Sequence, residues 1–172
     1  PEQSGVGVVN ANEPHRDAFI EAARCRVYQY GIETETIADG NPVHTDLAAS
    51  DIKEASDGQS FLVTSHAGQQ NARLPLPGRF NVENSLAALL AVSHLPSGSL
   101  NTYIPLVSEL KPIKGRMVPV DEGQPFQVIV DYAHTPGSFR KLFPALRSQV
   151  ENGKLIAVFG SAGERDLEKR SQ

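Results

Sequence analysis

Residues 126–136 read FQVIVDYAHTP, and this stretch decides the fold class. Its apolar first part is typical of a buried strand. Thr135 and Pro136 then mark the start of a helix, because threonine caps helix amino termini and proline suits the first helical position. In open α/β sheets, ligands collect at the carboxyl ends of strands, which is where Asp131 lies. The stretch therefore predicts an α/β fold with a polar site between this strand and the helix.

The polar residues of this stretch can bind a nucleoside. The Asp131 carboxylate can accept two sugar hydroxyls, and Tyr132 and His134 can pack against or hydrogen-bond a base or a ribose. The amino terminus of the following helix favours negative charge nearby. A structural interpretation stays open, in which Asp131 is a turn residue and His134 a satisfied structural group.

The first 32 residues alternate strand and helix signals. Residues 5–10 (GVGVVN) form a short apolar run suited to a buried strand. Residues 15–24 follow as a predicted helix, and residues 26–32 (RVYQYGI) predict the next strand. This part of the chain is therefore a βα unit. The predicted apolar face of the helix consists of Phe19, Ile20 and Ala23.

Residues 51–76 alternate weakly in polarity around two glycine turns. The turn signals DG at 57–58 and HAG at 66–68 predict antiparallel hairpins. Asn81 can then cap a long helix over residues 81–95. The apolar residues that recur at helical spacing in it are Val82, Leu86, Leu89, Leu90 and Leu95.

A linker and a domain boundary are predicted near residue 115. Residues 100–110 indicate a shorter helix, and residues 111–115 (KPIKG) read as a linker. The sequence therefore divides into two predicted domains, residues 1–114 and residues 115–172.

The second predicted domain begins with a hairpin-like pair of strands, 116–120 and 126–131. In the helix that follows, Pro144 removes a hydrogen bond and costs about 3 kcal/mol in an ideal interior, so a kink or an early end is expected. Another strand is predicted over residues 154–159. The apolar positions of the helix are Phe139, Leu142, Phe143, Leu146 and Val150.

Composition and charge favour a cytoplasmic globular protein. The chain has 172 residues, and its 40% hydrophobic content is enough for a core. A formal net charge of -4 with scattered basic residues indicates neither nucleic acid nor an anionic membrane as a partner. No apolar run approaches the roughly 20 residues of a membrane helix. The first residues do not have the pattern of a signal peptide. The sequence also lacks an initiator Met, which suggests an internal fragment.

Cysteine and histidine usage predicts no metal site. The single cysteine, Cys25, excludes an internal disulfide and a cysteine-built zinc site. Cys25, His44, His66 and His94 share no metal-ligand spacing, so we interpret them as ordinary packing or surface residues.

Residues 77–90 (PGRFNVENSLAALL) hold two asparagines at the start of the long predicted helix. An amide places a donor and an acceptor side by side, which is the geometry that recognises the N6/N7 edge of adenine. In the alternative interpretation Asn81 is a cap and Asn84 a solvated polar residue. The spacing alone favours that alternative.

Residues 153–170 (GKLIAVFGSAGERDLEKR) combine a glycine turn with charged residues. Such a turn can bring backbone amides and positive charge to an anion. It is not a Walker loop, since GxxxxGK[ST] occurs nowhere in the chain. The charged residues are Arg165, Asp166, Lys169 and Arg170.

Five motifs follow one another along most of the chain. They are VVNANEP at 8–14, LPGRFNVENSLAALLA at 76–91, GRM at 115–117, VDYAHTP at 130–136 and FGSAGERDLEKR at 159–170. In order and spacing they resemble the Mur ligase family, and most closely its MurE type, the ATP-dependent enzymes that add the third amino acid to UDP-N-acetylmuramoyl-dipeptide. DYAHTP discriminates most, because related ligases and folylpolyglutamate synthases carry different residues after the corresponding aspartate.

The resemblance implies both a fold and a reaction. The chain looks like the later part of a central ATP-binding domain followed by the start of a Rossmann-like carboxy-terminal domain. In such ligases ATP phosphorylates the carboxylate of a UDP-N-acetylmuramoyl-peptide, and the amino group of an incoming amino acid attacks the acyl phosphate. Positioning and charge neutralisation carry a phosphoryl transfer of this kind.

The resemblance also implies roles for single residues. Arg116 would be the catalytic residue, binding the ATP phosphates across the interdomain cleft, while Asn84 would contact adenine and Asp131 the ribose. A cation at a hinge can couple phosphate binding to domain closure. The remaining residues expected to approach the nucleotide or the closed site are Asn81, Tyr132, His134, Arg165, Asp166, Lys169 and Arg170.

Several family features are expected outside this chain. The phosphate-binding loop, the Mg²⁺-binding Glu and His and the carbamylated Lys belong upstream of Pro1, and the amino-acid specificity motif belongs downstream of Gln172. We therefore expect the 172-residue chain to be inactive alone. The sequence also departs from the family pattern, because Asn12-Glu13 replaces the usual two aspartates and GSAGERD replaces CGGDRD. A folylpolyglutamate synthase-like ligase and a non-catalytic nucleotide-binding module stay open as alternatives.

Overall fold

The computed structural model describes residues 5–33, 45–55, 57–150 and 152–160. The chain forms two compact units, Pro1–Leu110 and Lys111–Gln172, called here the first and the second unit. His44 and the four charged residues predicted between 165 and 170 lie outside the described residues.

A five-stranded mixed sheet forms the first unit. Its strands lie in sequence order, and the first three are parallel while the last three form an antiparallel meander. A short helix, α1 (Arg16–Ala22), connects the first two strands. The predicted strand-helix-strand start and the predicted hairpins are therefore confirmed. The strands are β1 (Val6–Asn10), β2 (Arg26–Ile32), β3 (Leu47–Ala55), β4 (Gly58–Ser65) and β5 (Gly68–Leu74).

Two glycines make the turns of the meander. Gly58 has φ +135° and Gly68 has φ +116°, a region of backbone conformation that glycine enters without a steric cost. A side chain at Gly58 would overlap the Leu74 carbonyl oxygen, whereas a Cβ at Gly68 would meet nothing within 4 Å. The first turn therefore requires glycine for space as well as for conformation.

Helix α2 (Arg79–Ser93) packs against β1, β2 and β3 and closes the core of the first unit. The helix predicted over 81–95 is thus confirmed, with an earlier start and an earlier end. The helix predicted over 100–110 is also confirmed, as α3 (Leu100–Leu106) followed by one 3₁₀ turn (Val107–Glu109). The buried residues of these helices are Val82, Ser85, Leu86, Leu89, Leu90, Leu100, Ile104 and Val107.

Three details of the predicted helices are wrong. Asn81 is not the helix cap, because α2 begins one turn earlier after Gly78, whose φ of +87° turns the chain into the helix. Leu95 lies beyond α2 and is 57% exposed. The predicted apolar face of α1 is not buried, since no residue of this helix is buried and Phe19 is 65% exposed.

The second unit consists of a short hairpin and a helix. Strands β6 (Val118–Val120) and β7 (Val128–Val130) pair antiparallel, and helix α4 (Pro136–Arg147) follows. Both were predicted, although the strands are shorter than expected. Helix α4 includes Pro144 and ends one turn later, so Val150 lies outside it.

The strand predicted over residues 154–159 is not formed. These residues are exposed and have no regular secondary structure. A strand is stabilised by pairing with a neighbour, and within the described part of the second unit β6 and β7 pair only with each other. Ile156 is 78% exposed and Val158 95% exposed, whereas the Phe159 ring contacts that of Phe139 on α4, with 4.9 Å between their centroids.

Candidate functional site

Asp131 lies directly after β7 and uses both carboxylate oxygens. Oδ1 accepts the backbone N–H of Ala133 at 2.7 Å, and Oδ2 accepts that of Met117 at 2.9 Å. The residue is half-buried. A carboxylate has about four acceptor positions, so Asp131 keeps acceptor capacity for hydroxyl groups of a ligand.

The GRM motif forms a tight turn that this carboxylate holds. Gly115 has φ 76° and Met117 has φ 51°, while the Arg116 N–H donates to the Ile113 carbonyl at 2.9 Å. A left-handed conformation costs a non-glycine residue roughly 1–2 kcal/mol. The hydrogen bond from the Met117 N–H to the charged Asp131 side chain offsets that cost.

The Arg116, Tyr132 and His134 side chains contact one another in a row in the second unit, with Tyr132 in the middle. The guanidinium carbon of Arg116 lies 4.8 Å from the Tyr132 ring centroid, and the His134 ring meets the same ring edge-on at 5.0 Å. Nδ1 of His134 lies 2.9 Å from the Tyr132 carbonyl oxygen. Because a carbonyl only accepts, Nδ1 carries a proton, and Nε2 of the neutral ring is an acceptor.

A capping box starts α4, and the predicted cap residue Thr135 is confirmed. Thr135 Oγ1 accepts the Ser138 N–H at 3.2 Å, and Ser138 Oγ accepts the Thr135 N–H at 3.0 Å. Two backbone donors at the helix start are satisfied in this way. The cap fixes the direction in which the chain leaves the loop of Asp131.

The two asparagines of the first unit differ in their surroundings. Asn84 is exposed on α2, and its side chain makes no hydrogen bond to another residue that the structure describes. Asn81 donates from Nδ2 to the Pro77 carbonyl at 2.7 Å. The Asn84 amide is therefore available to a ligand, while the amino group of Asn81 already has a partner.

Sequence reasoning missed Gln59. This residue is the second of β4 and has 2% of its surface exposed, and its Nε2 donates to the carbonyls of Leu76 at 2.8 Å and Gly78 at 2.9 Å. Gln59 and Asn81 therefore hold three consecutive carbonyls of the loop before α2. No local signal identifies Gln59, because its two partners are 17 and 19 residues away.

Asn12 closes the loop after β1 at the carboxyl end of β2. Its Oδ1 accepts the Ile32 N–H at 2.7 Å, and its Nδ2 donates to the Ile32 carbonyl at 3.2 Å. An aspartate could accept from the N–H but could not donate to the carbonyl. This pair of bonds gives a physical reason for an asparagine, rather than an aspartate, at position 12 of VVNANEP.

Among the first-unit residues that the structure describes, Tyr30 on β2 has a pKa that clearly departs from its ordinary value. Burial raises the pKa of its phenol, and the negative charges of Glu83 and Glu13 raise this pKa further. The phenol therefore stays protonated at neutral pH and can act as a donor.

The described residues contain no group of three or more His, Cys, Asp or Glu side chains that could hold a metal ion. The His94 ring packs against the Tyr28 ring, with 3.8 Å between centroids and 44° between the ring planes. None of the helices in the described ranges is long and apolar enough to cross a membrane.

Comparison with known families identifies both parts of the chain. Residues 1–92 match the Mur ligase middle domain. Residues 115–172 match the glutamate ligase domain of Mur ligases. The chain belongs to the Mur ligase family. The sequence-based resemblance is thereby confirmed, as is an α/β fold that combines Mur ligase middle and carboxy-terminal domains.

Individual Mur ligases are similar over nearly the whole chain. The UDP-N-acetylmuramyl-tripeptide synthetase of Roseiflexus sp. (strain RS-1) is 43% identical over 168 residues, which cover 98% of this chain and 31% of the relative. The same-named protein of Treponema denticola is 38% identical over 170 residues, 96% of this chain and 32% of the relative. This Mur ligase chain therefore spans about a third of the length of the curated relatives it matches.

A solved Mur ligase structure has a similar fold. The UDP-N-acetylmuramoyl-L-alanyl-D-glutamate–2,6-diaminopimelate ligase superposes with a TM-score of 0.63 at 31% identity, covering 96% of this chain and 33% of that structure. Asn81 and Asn84 lie in the matched middle domain, and Arg116, Asp131, Tyr132 and His134 lie in the matched glutamate ligase domain.

Proposed function

We propose that the chain is part of an ATP-dependent cytoplasmic ligase that joins the carboxylate of a UDP-N-acetylmuramoyl-peptide to an amino acid. The observation that supports this most directly is the bond from Met117 to Asp131, because it joins the GRM turn to the DYAH loop in one polar group. The names of the similar tripeptide synthetases support the substrate class. We place the boundary between the two domains at residues 114 and 115.

Three side chains are proposed to bind ATP. Asn84 has an exposed amide suited to the adenine edge, and Asp131 keeps acceptor capacity for ribose hydroxyls. Arg116 is exposed and has no carboxylate partner among the described residues, so its charge is available to phosphates. Tyr132 lies against Arg116 and His134 against Tyr132 in the second unit, and a nucleotide contact from Asn81 remains a prediction.

The proposed reaction proceeds through an acyl phosphate. ATP supplies the phosphoryl group, and the amino group of the amino acid then attacks the activated carboxylate. Within this chain the contribution is binding and electrostatic, since Arg116 neutralises phosphate charge and Asp131 fixes the nucleoside. Mg²⁺ would assist the phosphoryl transfer, with ligands that we expect outside this chain.

The experiment that tests the proposal is an assay of phosphate release by the complete protein that carries this chain. With UDP-N-acetylmuramoyl-dipeptide, ATP and Mg²⁺, release should depend on the amino acid supplied, and lysine and diaminopimelate are the first two to compare. Turnover with a pterin substrate instead would favour a folylpolyglutamate synthase-like ligase. ATP binding without turnover on either substrate would favour a nucleotide-binding module. The purified 172-residue chain serves as the inactive control.

A further inference from the structure

The register of the hairpin brings Arg116 and Tyr132 together. Val118 pairs with Val130 at the open end of the β6–β7 ladder. Continuing the same register places Met117 opposite Asp131 and Arg116 opposite Tyr132. Both pairs are in contact, the first through a hydrogen bond and the second through the guanidinium and the ring. The two motifs are thus facing ends of one antiparallel pair.

We infer that Tyr132 is a positioning residue that holds the Arg116 guanidinium ready for the phosphates of ATP. This inference rests on the proposed function of Arg116. The Tyr132 ring is 63% exposed and lies under the guanidinium at 4.8 Å. Stacking uses the flat face of a guanidinium and leaves its N–H edge available for anions.

The geometry of the turn explains why Arg116 needs such a partner. Its backbone is fixed between the positive-φ residues Gly115 and Met117, but its long side chain is exposed. A free arginine side chain loses up to about 2 kcal/mol of conformational entropy when it is immobilised. The ring orders the side chain before the ligand arrives, which lowers the entropy cost of binding.

Asp131 and His134 in turn fix the backbone that follows Tyr132. Asp131 Oδ1 binds the Ala133 N–H, and His134 donates from Nδ1 to the Tyr132 carbonyl. The Tyr132 carbonyl and the Ala133 N–H belong to one peptide group, so side chains of the same motif fix the peptide that follows Tyr132. Within DYAH, the side chains of Asp131 and His134 therefore help to orient Tyr132.

A comparison of ATP and adenosine binding tests the inference in the complete protein. Tyr132→Leu should weaken ATP binding by about three- to fivefold, the size of an exposed cation–π contact, and should leave adenosine binding unchanged. Tyr132→Phe keeps the ring and should bind ATP as the wild type does. Phe126→Leu removes another aromatic residue of the unit, 65% exposed, and serves as the matched control.

A double-mutant cycle with Arg116→Ala separates positioning from direct contact. If Tyr132 acts through Arg116, Tyr132→Leu adds no further loss in the Arg116→Ala background. A full additional loss there, or an equal loss of adenosine binding, would mean that Tyr132 touches the nucleotide and would overturn the inference while the proposed function stands. Unchanged ATP affinity in Arg116→Ala alone would overturn the phosphate role and the inference with it.

Discussion

The Asp131 carboxylate accepts the Met117 N–H at 2.9 Å, and this bond joins the start of β6 to the end of β7. A carboxylate, rather than a main-chain carbonyl, therefore continues the hairpin beyond its last paired residues. The same side chain is the proposed ribose ligand. Asp131 thus has two roles, since it shapes the turn that carries Arg116 and offers acceptors to a nucleoside.

Asp131→Ala should weaken ATP binding by about tenfold or more, because bonds to a charged group contribute roughly 1.5–3 kcal/mol. Binding of the muramoyl substrate should change much less. Calorimetric titration of the complete protein with each ligand measures both effects. Asp121→Ala is the control, since Asp121 also accepts a backbone N–H, that of Gly123 at 3.0 Å, in the same hairpin. Equal losses for the two ligands would contradict the ribose role.

Gly58→Ala should destabilise the chain far more than Gly68→Ala. Both glycines have positive φ, so each substitution carries a conformational cost of roughly 1 kcal/mol or more. Only at Gly58 would the added Cβ also overlap the Leu74 carbonyl and lie 2.8 Å from Pro75 Cα, which forces the backbone to move. Urea unfolding of the two variants measures the difference. Similar urea midpoints for the two variants would contradict the expected overlap between a Cβ at position 58 and the Leu74 carbonyl.

Gln59→Leu should cost about 1–2 kcal/mol of unfolding free energy, because the Leu76 carbonyl loses the Gln59 amide while the Gly78 carbonyl keeps the Asn81 N–H. Gln69→Leu is a matched substitution on the neighbouring strand, where the amide reaches Thr64 at 3.3 Å on an exposed surface. That change should stay within about 0.5 kcal/mol. Chemical denaturation compares the two variants. If they cost the same, Gln59 does not anchor the loop before α2.

The raised pKa of Tyr30 predicts that the folded chain loses stability in alkaline solution. Because burial and two glutamates raise its pKa in the folded state, the folded chain keeps the phenolic proton to higher pH than the unfolded chain. The corresponding stabilisation is fully present below the unfolded pKa of about 10 and is lost as pH rises through the folded value. Tyr30→Phe should remove this loss. Unfolding curves of both proteins between pH 8 and 11 measure it, and a constant difference across that range would contradict the expectation.

Local patterns determine most of the elements, and these could be read from the sequence. The apolar spacing from Val82 to Leu90 predicts α2, the Asp57-Gly58 pair predicts a hairpin turn, and Thr135 predicts the cap of α4. Each of these signals acts within a few residues.

Features that depend on distant partners could not be read in this way. Gln59 finds its acceptors across the fold, and the start of α2 depends on the conformation of Gly78 rather than on the capping tendency of Asn81. The apolar run at 154–159 has strand-like composition, but pairing decides whether a strand forms. The contact between Arg116 and Tyr132 required the register of the hairpin, which no local pattern of either motif contains.

The uneven distribution of buried side chains has a consequence for how the chain opens. Among the residues that the structure describes, sixteen buried hydrophobic residues belong to the first unit, while the second unit buries only Met117 and Leu142. Segments with few buried contacts open first and most often. Amide protons of the β6–β7 hairpin and α4 should therefore exchange with deuterium well before those of α2, and a protease at low dose should cut the second unit first. A nucleotide bound at the Asp131 loop would slow both processes. Slower proteolysis of the second unit in the presence of nucleotide would therefore report binding at this site.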